Sequence, residues 1–143
     1  LPTNDAEQII TQVIEKMCVA EIEQAQNHEI TKQDYFNIIE GKTASFMAAC
    51  CKLGAKTVNA KEEEIEALEN YGLNLGMLYQ IIDDCTDGDS NATKNNITVE
   101  DAKEFALKAE QAIKNLETSV YKDSMNSLLN HILESSNKKT KNA

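Results

Sequence analysis

Tyr71-Gly72-Leu73-Asn74-Leu75-Gly76-Met77-Leu78-Tyr79-Gln80-Ile81-Ile82-Asp83-Asp84-Cys85-Thr86-Asp87 is apolar nearly throughout and then closes in carboxylates. Upstream of it Ile65 and Leu68 continue a helical spacing, and Glu62-Glu63-Glu64 would sit at the positive end of a helix dipole. The pattern predicts one helix over residues 60–87. Gly72 and Gly76 lie four apart within it, each costing about 1 kcal/mol relative to Ala in a helix interior. That spacing predicts a second helix packed close against the backbone, and so a central position in a bundle.

The flanks read the same way. Ile9, Ile10, Val13, Ile14, Met17, Ala20 and Ile22 give an amphipathic helix over residues 3–26, interrupted at Asn27-His28. Thr31 with Asp34 predicts an N-cap for a helix over 33–53, with Gly54 as its stop. From Thr43 to Cys51 that helix is apolar or small on every side and is expected to be buried all round. Residues 88–96 read as a polar loop, and Thr98 with Asp101 caps a helix carrying Phe105, Ala109, Ala112, Ile113 and Leu116 on one side. A last helix starts at Asp123 or Ser124 and runs through Leu133, and a disordered tail follows from Ser135. One Pro, five Gly and no Trp in 143 residues disfavour short strands and frequent turns. The expected fold is an all-α helical bundle in a single domain over residues 1–136, with 137–143 as the tail.

Charge and cysteine usage narrow the function classes. A formal net charge of −10, with Lys clustered only at Lys138, Lys139 and Lys141, argues against nucleic acid as a partner. An anionic substrate could approach this chain only with divalent cations between the two. Cys18, Cys50, Cys51 and Cys85 have neither Cys-x-x-Cys spacing nor a His at zinc-finger distance, and read as small buried residues of a reduced, cytoplasmic protein. No stretch approaches the ~20 apolar residues of a membrane span, so stable membrane insertion is not expected. Asn91-Ala92-Thr93 and Asn96-Ile97-Thr98 match the glycosylation sequon, but no secretory signal accompanies them.

The chemistry concentrates at two places. Gln80, Asp83, Asp84 and Asp87 form one polar stripe at the end of the central helix. Clustered carboxylates beside a core are costly unless a cation neutralises them, and hard oxygen ligands on a short stretch suit Mg²⁺ with phosphate oxygens. A solvated acidic turn is the plainer reading of the same residues. A calcium loop fails on register, because Gly88 at its sixth position would put Lys94 where a bidentate Glu is required. The second place is Lys42-Thr43, where the second helix turns from amphipathic to buried. Lys42 can be a snorkelling surface residue, or an ammonium beside a hydroxyl that holds diphosphate oxygens.

Taken in order, Tyr35-x-x-Ile38-x-x-x-Lys42-Thr43-Ala44-Ser45-Phe46, then Cys51-x-x-Gly54-Ala55, then Tyr71-Gly72-x-x-Leu75-Gly76-x-x-Tyr79-Gln80-Ile81-x-Asp83-Asp84-x-x-Asp87 resemble the C-terminal half of trans-isoprenyl (polyprenyl) diphosphate synthases. Glu21-x-x-Gln24 fits the helix preceding the Lys-Thr segment in that family. The resemblance implies part of the isoprenoid synthase fold and a Mg²⁺-dependent head-to-tail condensation of isopentenyl diphosphate with an allylic diphosphate. It implies Asp83, Asp84 and Asp87 as metal ligands, Lys42 as a diphosphate contact, and Thr43 and Gln80 beside the reacting carbons. It also implies a homodimer, or a heterodimer with a full synthase subunit. The sequence departs from the family pattern in lacking a second Asp-Asp-x-x-Asp and in a shortened stretch after Asp87, where Lys94 is the only basic residue. Two readings follow: an enzyme portion requiring an N-terminal half, or a non-catalytic partner subunit of a complete synthase.

Overall fold

The computed structural model describes residues 3–26 and 29–139. Among these there is no strand, and seven α-helices run in the order α1 (Thr3–Gln26), α2 (Lys32–Ile39), α3 (Ser45–Thr57), α4 (Glu62–Asp87), α5 (Ser90–Lys94), α6 (Val99–Ala112) and α7 (Val120–Lys139). A π-helical turn, Glu40–Ala44, joins α2 to α3 without a break. The expected interruption at Asn27-His28 lies outside the described residues.

The caps follow from side-chain chemistry. The Thr31 hydroxyl accepts from the Asp34 N–H while the Asp34 carboxylate accepts from the Thr31 N–H, and Thr98 with Asp101 repeats this box at the start of α6. The hydrogen bonds from Thr31 hold the Asp34 carboxyl below its ordinary value. At α4 the Glu64 carboxylate accepts from the Lys61 N–H at 2.9 Å, so the acidic opening turn serves as cap and dipole partner together. Gly88, at φ +70°, ends α4 in the left-handed conformation.

α4 is central, packed between the α3 side and the α6–α7 side, with Ile39, Leu78, Ile81 and Ile113 fully enclosed. The close approach predicted from Gly72 and Gly76 is present. A Cβ at Gly72 would lie 2.6 Å from the Met47 carbonyl oxygen, and one at Gly76 would lie 2.5 Å from the Ala44 Cα. Lys56 with Asp5 and Lys52 with Glu69 tie α3 to α1 and α4, each at 2.9 Å. The Tyr71 hydroxyl donates to the Met125 carbonyl on α7 at 2.9 Å. α2 meets α6 through Lys32 and Asp101 at 2.7 Å, beside an edge-to-face pair of Phe36 and Phe105.

Several local expectations are corrected. Gly54 does not stop its helix, which continues to Thr57 and turns at Asn59 with φ +51°. Asn supplies the left-handed residue there, its short polar side chain tolerating that conformation. The stretch 43–51 is not buried all round, since Phe46 is 51% exposed and Cys50 faces outward. Cys18 is likewise exposed, and Cys51 and Cys85 are half-buried, so the cysteines are not uniformly interior. The expected loop 88–96 contains α5, capped by the Asp89 carboxylate accepting from the Asn91 and Ala92 N–H groups. Buried Ala92 and Ile97 anchor this segment to the core. α7 begins at Val120 because the Ser119 hydroxyl accepts from the Lys122 N–H, one turn earlier than expected. It is described through Lys139, past the Ser135 at which disorder was expected; residues 140–143 of that tail lie outside the described residues.

Candidate functional site

The end of α4 has two polar faces. Asp83 and Asp87, four residues apart, face solvent, whereas Gln80 and Asp84 turn inward toward α2 and the π-helical turn. The single stripe read from the sequence is therefore divided along the helix. Among the described residues no three acidic, His or Cys side chains converge as a ready-made metal cage.

The inward face makes a continuous relay. The Thr43 hydroxyl donates to Gln80 Oε1 at 2.8 Å, and Gln80 Nε2 donates to Asp84 Oδ1 at 2.9 Å. The Tyr35 hydroxyl, on the facing helix α2, donates to Asp84 Oδ2 at 2.7 Å. The π turn contributes directly: widening the helix over Glu40–Ala44 rotates Thr43 toward α4 while Ala44 remains fully buried against Gly76. Lys42, the preceding residue, donates from Nζ to Gln24 Oε1 of α1 at 3.1 Å.

Burial pushes the Asp84 carboxyl above its ordinary value, against the hydrogen bonds from Tyr35 and Gln80 and the Lys42 charge, which favour ionisation. Asp89 adds like charge in the same direction as burial. Tyr35 is 3% exposed, and burial followed by its bond to Asp84 pushes the phenol far above its ordinary value, so it stays a donor. Between Lys42, Asp84, Asp89 and Asn91 lies a cavity of about 20 Å³. It has room for one water-sized group and none for a diphosphate.

The structure thus brings Thr43, Gln80 and Asp84 together, places Lys42 beside them with its charge felt at Asp84, and leaves Asp83 and Asp87 on the outer face. Gln24 and Tyr35 were not among the candidate site residues. A signal for Tyr35 existed: it lies two helical turns before Lys42, and a buried Tyr hydroxyl requires a partner.

The sequence profile of the family described as Polyprenyl synthetase matches residues 1–143. The chain belongs to the polyprenyl synthetase family. Its curated relatives include a geranylgeranyl diphosphate synthase of Mycobacterium tuberculosis, 45% identical over 39% of this chain and 16% of that protein. Heptaprenyl diphosphate synthase component 2 of Bacillus subtilis is 41% identical over 57% of this chain and 24% of that protein. The chain therefore spans well under half the length of these relatives. Among solved structures, a polyprenyl synthase of Roseobacter denitrificans superimposes with a TM-score of 0.82 over 92% of this chain and 63% of that one, at 19% identity. A polyprenyl synthase of Caulobacter crescentus, solved with calcium and isoprenyl diphosphate, gives 0.79 over 90% and 58%, at 18% identity. At these identities the likeness establishes the fold, so this polyprenyl synthetase chain has the all-α isoprenoid synthase architecture in part. None of its described helices is long and apolar enough to cross a membrane.

Proposed function

We propose that the chain is part of a trans-polyprenyl diphosphate synthase that condenses isopentenyl diphosphate head to tail with an allylic diphosphate in the cytoplasm. The observation that carries this reading is the relay from Thr43 through Gln80 to Asp84, which joins the Lys-Thr segment to the aspartate-rich helix as one polar wall. A plain solvated acidic turn has no need of such a connection.

Each side chain has a distinct task. Lys42 Nζ, a point charge positioned by Gln24, binds diphosphate oxygens and stabilises them as the allylic bond breaks. Thr43 and Gln80 present oxygen and amide dipoles toward the electron-deficient carbons. The surrounding helices exclude water from a reactive cation. Asp83 and Asp87 fit Mg²⁺ by donor chemistry: both are hard oxygen ligands on one exposed helix face, and among the described residues neither is tied up in an ion pair. With Mg²⁺ bound there, an anionic diphosphate is neutralised against an otherwise repulsive acidic surface.

The second reading is a partner subunit, favoured by the relative in Bacillus subtilis that is named as a component of a heptaprenyl diphosphate synthase. It would assemble as a heterodimer with a full synthase subunit, where the first reading accommodates a homodimer. Both are separated by assaying the protein that carries this chain with isopentenyl and allylic diphosphates, alone and with a complete synthase. In the first reading, Asp83→Ala with Asp87→Ala lowers elongation by a hundredfold or more, roughly the loss expected when leaving-group neutralisation fails. Undiminished elongation in that variant, with product chain length altered only when the complete synthase is present, selects the partner subunit.

A further inference from the structure

The relay has a direction, and one residue sets it. A carboxylate is acceptor-only, so both neighbours of Asp84 must donate to it. Tyr35 gives its O–H to Oδ2 and Gln80 gives an N–H to Oδ1. Once the Gln80 amide shows its NH₂ to Asp84, its carbonyl oxygen is left facing Thr43. The Thr43 hydroxyl must then spend its single hydrogen on Gln80, and only oxygen lone pairs remain on its free side. The chemistry of one carboxylate thus propagates over two further side chains into the sign of the dipole at Thr43.

We propose that Asp84, anchored by Tyr35, is a positioning residue that fixes the hydrogen-bond polarity of Gln80 and Thr43, and not a cation ligand. This deepens the enzyme reading and rests on it: a Thr43 oxygen held as an acceptor is the correct sign for an electron-deficient allylic carbon. The opposite polarity would aim a hydroxyl hydrogen at that carbon. Asp84 is poorly placed for a second duty, since both of its oxygens are engaged and it turns away from the exposed face shared by Asp83 and Asp87.

The inference can be tested by moving the carboxylate. In Asp84→Asn the new amide still accepts from Tyr35 but sets N–H against the N–H of Gln80. Gln80 must turn over, and Thr43 then accepts from it and points its hydrogen outward. Gln80→Glu alone places two carboxylates face to face. In the double variant Gln80→Glu with Asp84→Asn, the amide at 84 donates to the carboxylate at 80, which accepts from Thr43, and both polarity and total charge are restored.

In the protein that carries this chain, each single substitution should lower kcat roughly tenfold to a hundredfold with KM little changed, the pattern of a lost transition-state contact. The double variant should recover to within about threefold of the unaltered protein, because the two substitutions act as one unit. The Mg²⁺ concentration for half-maximal rate should be unmoved in Asp84→Asn and raised in Asp83→Ala. A double variant no faster than the slower single, or a raised Mg²⁺ requirement in Asp84→Asn, overturns the proposal. A readout without substrate guards against misfolded variants and against failure of the enzyme reading. The side-chain amide proton of Gln80 that faces Asp84, shifted downfield by its carboxylate acceptor, should move upfield in Asp84→Asn and stay in place in Tyr35→Phe. An amide signal that does not move in Asp84→Asn refutes the relay. If the unaltered protein elongates nothing while that signal does move, the enzyme reading falls and the polarity control stands.

Discussion

Two consecutive stretches of α4 treat their neighbours in opposite ways. Around Gly72 and Gly76 the helix meets α3 and the π turn at backbone distance, with no room for a methyl group. One turn later, at Gln80 and Asp84, the helix instead reaches the π turn and α2 through side-chain hydrogen bonds, Gln80 with Thr43 and Asp84 with Tyr35. The two are coupled by register. Ala44 closes on Gly76 and the adjacent Thr43 bonds Gln80, which is four residues after Gly76. Tight packing without chemistry thus fixes the spacing on which the polar wall depends.

The comparison breaks most violently at the seam. Gly76→Ala puts a Cβ 2.5 Å from the Ala44 Cα, a backbone-linked atom that cannot swing away. The helices must separate, at about 3 kcal/mol, the upper part of the usual overpacking range. Denaturant titration should show that loss, and thermal unfolding a drop of roughly 10 °C. Gly72→Ala meets the Met47 carbonyl oxygen at 2.6 Å and should behave alike. Because Gly76 sets the distance from Thr43 to Gln80, its variant should also lose activity beyond the fraction unfolded. An unaltered midpoint would mean that the close approach is not made in solution.

At the acidic end the expected effects are smaller and differ between neighbouring residues. Asp84→Ala strands the buried Tyr35 hydroxyl and the Gln80 amide, costing about 1 to 3 kcal/mol. Asp83→Ala and Asp87→Ala remove exposed carboxylates from the negative end of a helix dipole and should raise stability by about 0.5 kcal/mol each. Chemical denaturation without added metal measures all of them. Equal losses at Asp83 and Asp84 would show that the two faces of the helix end are not divided as described.

The same contrast explains what could be read before any coordinates. Gly72 and Gly76 announced a close helix neighbour because Gly inside a helix is costly and needs a reason. The capping boxes at Thr31 and Thr98 were equally plain, since they depend only on residues three apart. Helical periodicity brought Gln80, Asp83, Asp84 and Asp87 onto one stripe, but not which members face inward, because that depends on where α2 crosses α4. Tyr35 and Gln24 are contacts across 49 and 18 residues of sequence, set by tertiary packing. The π turn left no local mark, as its purpose is to aim Thr43 at α4 while keeping Ala44 in the seam. Asn59 is a weaker helix-end signal in the sequence than Gly54, five residues before it, because Gly adopts the left-handed conformation more readily.

Gly54 provides the finest test of the comparison. It is exposed, helical, and a Cβ there would meet nothing within 4 Å. By the logic that makes Gly72 and Gly76 irreplaceable, Gly54→Ala should stabilise the chain by about 0.5 to 1 kcal/mol through reduced freedom of the unfolded state. This chain covers 63% and 58% of the two solved structures, so the sign can differ between contexts. Thermal unfolding of the 143-residue chain and of a protein with the full fold should be run side by side. A gain in both means that Gly54 faces solvent throughout. A gain in the chain with a loss in the full fold locates a further backbone-to-backbone contact at Gly54, made by a helix beyond these residues and of the same kind as the seam at Gly76.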